Sequence, residues 1–186
     1  MQKNKNISTI EITIMAMAIS LNSIGAYISM NLKFPLLMDS IGTVLIAILL
    51  GPKKAVITGV LGCIVNGLTF DELAIAFSPA QITTGYFCGL VYKKGLLKGK
   101  KVFLGVLIYS LPTAVLSAFI AAEIFGGVTT AGSSFIVQIL STMGVPIFVS
   151  VFVIQIITEY IDKFVAFIIA SKIISIIPRN IKSKIS

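Results

Sequence analysis

The chain has 186 residues, 56% of them hydrophobic and only 12% charged, with a formal net charge of +8. Soluble domains carry about 25% charged residues, so this composition, with a mean hydropathy of +1.02, excludes an ordinary water-soluble domain and points to lipid as the solvent. The cations sit in clusters between apolar runs, with no basic helix and no basic-aromatic interleaving, which excludes a nucleic-acid partner.

Taken in chain order, Lys3 and Lys5 precede a first apolar run from about 10 to 30. The run contains Asn22 and lacks a small-x-small cleavage site, so it is read as a retained first span and not as a signal peptide. Ala16, Ala18, Ser20, Ser23, Gly25 and Ala26 make it rich in small residues, which let another helix approach closely in a membrane. A loop at 31–38 with Lys33 and Pro35 leads into a short second span at about 39–50. Gly51-Pro52-Lys53-Lys54 forms a basic turn, and a glycine-rich third span follows at about 55–69. Asp71 and Glu72 lie in a loop at 70–78, before a fourth span at about 79–92.

Residues 93–101 (KKGLLKGKK) are the most basic stretch. A fifth span at about 102–124 contains Pro112, and a Gly/Ser/Thr-rich loop follows at 126–134. Residues 135–158 are apolar and broken by Gly144 and Pro146. A polar knot, Glu159-Tyr160-Ile161-Asp162-Lys163, precedes a last apolar run at 164–177 and a basic tail.

The positive-inside rule places the N-terminus, the 51–54 turn, the 93–101 loop and the C-terminal tail in the cytoplasm. Loops 31–38, 70–78 and 125–134 then face outside. A basic inner tail requires 135–158 to dip in and return, with Gly144 and Pro146 at the turn; the alternative is a seventh span kinked at proline. The expected fold is therefore an all-α integral membrane protein, a single domain over 1–186. It is a compact bundle of six transmembrane helices with a re-entrant segment near 135–158 and cytoplasmic tails at about 1–9 and 178–186.

On this topology six of the seven acidic residues lie on the outer side: Asp39, Asp71, Glu72, Glu123, Glu159 and Asp162. Charges near membrane depth are costly and have either a partner or a function. Asp39 is a candidate for an outward-facing polar cup or, equally, an N-cap of the short second helix. Asn22 and Asn66 need hydrogen-bond partners inside apolar spans, either on a neighbouring helix or on a ligand. Glu159 and Asp162 can pair with Lys163 or line the cup. Gln81 and Tyr86 lie toward the outer half of span four, where Tyr86 can stack on a flat ring or simply pack.

Cys63 and Cys88 fall inside apolar runs and read as structural thiols. Histidine is absent, which removes the commonest metal ligand and the commonest general base. Neither a metal nor a cofactor is expected, nor is an enzyme.

The stretch Phe34-Pro-Leu-Leu-Met-Asp39-Ser-Ile-Gly-Thr43, followed by Leu49-Leu-Gly-Pro52 and by Gly59 to Gly67, resembles the substrate-binding S subunits of energy-coupling factor transporters, most closely the riboflavin-transporter-like branch. Phe125 to Ser133 is similar to an outer loop of that group, and Asp162-Lys163 resembles the entry to its sixth helix. The resemblance implies capture of a vitamin-like nutrient from outside. It also implies partnership with a transmembrane coupling subunit and two cytoplasmic ATPases. The coupling face of helix one would fall at Ala16 and Ser20, with Ala18 adjacent. No Walker sequence is present, so ATP hydrolysis would belong to the partners. The outer acids favour a neutral or cationic substrate over an anion. The competing readings are a self-sufficient small transporter or channel and a membrane enzyme or sensor.

Overall fold

A computed structural model describes residues 7–178 and Lys182. The expected cytoplasmic tails therefore lie largely outside the described residues. Seven α-helices make up the fold among these residues: α1 (Thr9–Asn31), α2 (Ile41–Leu49), α3 (Pro52–Thr69), α4 (Ser78–Lys93), α5 (Val102–Phe119), α6 (Ser133–Thr142) and α7 (Ile147–Ile176). Short 3-10 turns precede α4 and α5, and a π turn at Ile120–Ile124 extends α5.

Local chemistry sets the ends. Ser8 caps α1 through a reciprocal capping box with Glu11. Glu11 also pairs with Lys54 Nζ, joining the starts of α1 and α3. Pro52 and Pro79 occupy first-turn positions of α3 and α4, where a missing N–H costs nothing. Helix α5 continues through Pro112 without ending.

Helix α2 sits at the centre. Every residue from Ile41 to Ala47 is buried, and it packs against α1, α3, α4 and α7. A helix that is apolar all round suits burial on all sides. Gly42 makes the closest approach possible: a Cβ there would lie 1.9 Å from the Ala18 carbonyl oxygen. Val44, Ile46, Val106, Tyr109 and Ala166 continue this core, and Tyr109 ties α5 to α7 by donating its hydroxyl to the Lys163 carbonyl oxygen at 2.8 Å.

The last third of the chain differs from the expectation. Residues 147–176 form one unbroken helix, so the knot at Glu159–Lys163 lies inside α7 and is no entry to a final helix. The turn does fall at Gly144, with φ +89°, and Pro146 caps α7. The segment before it, α6, has ten residues, about 15 Å of helix. Helix α2, at about 13.5 Å, is similarly short of the roughly 30 Å hydrocarbon layer, so neither crosses a bilayer alone.

Among the described residues two stretches are long and apolar enough to cross a membrane, Thr9–Asn31 and Gly99–Ile124. Polarity is distributed inside out. Met17, Leu68, Phe103, Leu104 and Phe119 are exposed, while Asn22, Gln81, Asp162 and Lys163 are buried.

The antiparallel order of the helices sorts the loops onto two poles. One pole carries the 51–54 turn, the 93–101 loop and the start of α1. The other carries loops 32–40, 70–77 and 125–132, together with the hairpin between α6 and α7.

Candidate functional site

The second pole contains a cleft of about 840 Å³, its open mouth included. The ends of α1, α3, α4 and α5 form its walls, loops 32–40 and 129–133 complete the lining, and α7 supplies one long side.

The α7 side carries Gln155, Glu159, Asp162 and Lys163. These positions recur at i, i+4, i+7 and i+8, which puts them on one helical face. Lys163 is almost fully buried. Its Nζ lies 2.9 Å from Glu159 Oε2 and 3.0 Å from Asp162 Oδ2. Further donors hold the two carboxylates. Ser117 donates to Glu159 Oε1 at 2.9 Å and Gln155 Nε2 donates to the same oxygen at 3.4 Å. Asp162 Oδ1 accepts the Met38 N–H at 2.8 Å, and Oδ2 accepts the Ser40 hydroxyl at 3.2 Å. Asp162 thereby fixes loop 32–40 against α7, with Met38 in the left-handed region at φ +55°.

That loop is fastened at further points. The Ser29 hydroxyl donates to the Leu36 carbonyl oxygen. Gly132 N–H donates to the Phe34 carbonyl oxygen at 3.1 Å. A Cβ at Gly132 would stand 2.1 Å from the Lys33 carbonyl oxygen, so only glycine lets the two loops meet. Across the mouth, Thr130 donates to Asp71 Oδ2 at 3.1 Å, while Leu73 N–H donates to Oδ1 at 3.3 Å. Burial raises the Asp71 carboxyl above its ordinary value, and the two hydrogen bonds pull it back only in part.

Asp39 lines the cleft beside Gln81, close enough to Lys163, Asp162 and Glu159 to feel their charges. It stands two residues ahead of α2, whose N-cap is Ser40, so capping is not its role. Gln81 Nε2 donates to the Asp39 carbonyl oxygen at 3.3 Å, and Gln81 Oε1 accepts from Thr43 Oγ1 at 3.2 Å. Asn66 lines the cleft and is 4% exposed, and its amide Oδ1 has no hydrogen-bond partner.

Three of the residues singled out from the sequence lie elsewhere. Asn22 binds between helices. It accepts from Gly42 N–H at 2.6 Å and donates to Thr43 Oγ1 at 2.9 Å, so it bridges α1 to α2 behind the cleft wall. Tyr86 is exposed on α4 and meets Phe87 edge-on at 5.6 Å; it does not line the cleft. Ala18 is buried against Gly42, which removes it from any exposed face of α1, whereas Ala16 and Ser20 are exposed.

Sequence reasoning passed over Phe77, which lines the cleft and stacks on Phe125 with ring centroids 5.9 Å apart. It also passed over the hydroxyl set Thr84, Thr113, Ser117, Thr129 and Thr130. Hydroxyls spread over two helices and a loop give no local sequence signal. The recurrence of Gln155, Glu159, Asp162 and Lys163 on one helical face was the available clue. No family model, curated protein or solved structure matches this chain.

Proposed function

We propose that the chain is an integral membrane protein that captures a small nutrient from outside, as the substrate-binding S subunit of an energy-coupling factor importer. The single observation that carries the reading is the polar cleft. In a molecule whose outer surface is apolar, hydrogen-bonding and charged side chains converge on one chamber at the pole opposite the lysine-rich loops. The positive-inside rule would orient that pole outward.

Several features support this assignment. The exposed apolar side chains of α1, α3 and α5 suit a lipid surface. Helices α1, α3, α4, α5 and α7 would cross the bilayer, with α2 buried among them as a sixth and shorter element, and the α6–α7 hairpin would rise on the outer side. Loops 32–40 and 129–133 supply part of the chamber's lining. The motifs from Phe34 to Thr43 and from Leu49 to Pro52 resemble that family. The exposed small positions Ala16 and Ser20 on α1 would serve as the docking face for a transmembrane coupling subunit, with two cytoplasmic ATPases supplying the energy.

Co-expression tests the proposal. The chain should co-purify with a coupling protein and two ATPases. Reconstituted vesicles should take up the nutrient only when all are present and ATP is supplied. Uptake by this chain alone would instead establish a self-sufficient transporter.

A further inference from the structure

We infer that the cleft takes a small organic cation, with a protonated nitrogen at Asp39 and a polar edge that hydrogen-bonds Asn66. The inference rests on reading the cleft as the capture site, and it specifies the chemistry of what is captured.

The first observation is the balance of charge. Four carboxylates line the cleft, Asp39, Asp71, Glu159 and Asp162, against the ammonium of Lys163. That ammonium is already engaged at 2.9 Å by Glu159 and at 3.0 Å by Asp162. Asp71 is held by Thr130 and by the Leu73 N–H. Asp39 forms no ion pair among the described residues, and the one Lys163 ammonium is left to balance it together with Glu159 and Asp162. In a chamber walled by protein, a set of carboxylates that outnumbers its cation attracts a positive ligand more strongly than it would in water.

The second observation is independent of charge. The Asn66 side chain is 4% exposed, lines the chamber, and leaves its amide Oδ1 without a partner. Buried amides are almost always hydrogen-bonded, and a donor on the ligand supplies the missing bond.

Shape separates an organic cation from a metal ion. Among the described residues no three acidic or sulfur side chains converge closely enough to hold a metal. The carboxylates are spread along the walls, and Phe77 offers a ring face backed by Phe125. That arrangement suits a flat cationic ring or an aromatic amine.

The test is a charge series on the full-length protein in detergent. Pyridoxamine, pyridoxine and 4-pyridoxate present nearly the same ring as cation, neutral molecule and anion; thiamine, riboflavin and biotin widen the panel with the same three charges. Calorimetry and thermal unfolding should show a cationic probe binding at least tenfold more tightly than its neutral or anionic counterparts. Asp39→Asn should weaken the cation at least tenfold more than it weakens the neutral probe. Should Asp39→Asn fail to fold, the wild-type charge series decides alone. A neutral or anionic probe binding as tightly as the best cation would overturn the cation assignment and leave the capture site standing. Silence from every probe, together with native mass spectra of freshly purified protein that carry no small molecule, would overturn both.

Discussion

At the scale of single residues, the buried charges of α7 are a structural joint as much as a binding wall. Lys163 neutralises Glu159 and Asp162, and Asp162 in turn holds Met38 and Ser40. Breaking a buried pair from one side leaves uncompensated charge and costs about 3–5 kcal/mol. Lys163→Met should therefore lower the unfolding midpoint of the detergent-purified protein sharply, and a variant that melts with wild type would refute the pairing. Asn22 makes a different prediction because it lies behind the wall. Asn22→Ala should cost about 1–3 kcal/mol of stability through the orphaned Gly42 and Thr43 N–H groups, yet leave ligand affinity within a few-fold. Asp71 adds a pH dependence. Burial raises its folded-state carboxyl above the unfolded value, so the charged form burdens the folded state at neutral pH. That penalty is relieved as the pH falls into and through the carboxylate range. Asp71→Asn should flatten this part of the stability profile in acid-to-neutral thermal scans; an unchanged slope would count against the assignment. Asn22, Asp39, Asn66 and Gln81 stood out in the sequence because each is a polar residue within or beside an apolar run. Which of them face the chamber was not legible there, since a helical residue's direction depends on neighbours that only the fold supplies.

At the scale of elements, the fold turns on α2 and α7. The short apolar run at 41–49 was recognisable as a helix, but its burial on every side was not, because a run that is apolar all round has no periodicity to show which helices enclose it. Its fit against α1 is set by Gly42, where a Cβ would collide with backbone. Gly42→Val should force the two helices apart and reduce the yield of folded protein, whereas Gly95→Ala, at a glycine with nothing within 4 Å, should be tolerated apart from the strain of its positive φ. The comparison is read by size-exclusion profiles of the two variants. Helix α7 was read as two pieces because its charged knot interrupts an apolar run. In three dimensions the knot is one face of a continuous helix, with Gln155, Glu159, Asp162 and Lys163 turned into the cleft. The apolar remainder of the helix packs against α5 and α2 or stays exposed. Charge in the middle of an apolar run thus marked the site and not a boundary. The turn at Gly144 and Pro146 was legible for the usual reason: a positive φ and a missing N–H suit a break between helices.

At the scale of the whole molecule, polarity is sorted twice. Many large apolar side chains lie on the surface, while polar ones such as Asn22, Gln81, Asp162 and Lys163 are buried. Along the other axis, most of the described lysines gather at one pole while the carboxylate-lined cleft opens at the other. The second sorting was visible from the sequence, since basic and acidic loops alternate along the chain. The first emerged only from the packing. The central claim, that the cleft opens outward to receive a nutrient, rests on this polar sorting and is tested most directly by sidedness. With Cys63 and Cys88 replaced by alanine, single cysteines can be placed by Val128→Cys, in the exposed loop at the cleft pole, and by Lys98→Cys, in the exposed basic loop. In intact cells a membrane-impermeant maleimide should label the position-128 variant and reach the position-98 variant only after permeabilisation. Labelling at position 98 with none at 128 would turn the cleft toward the cytoplasm and contradict capture from outside.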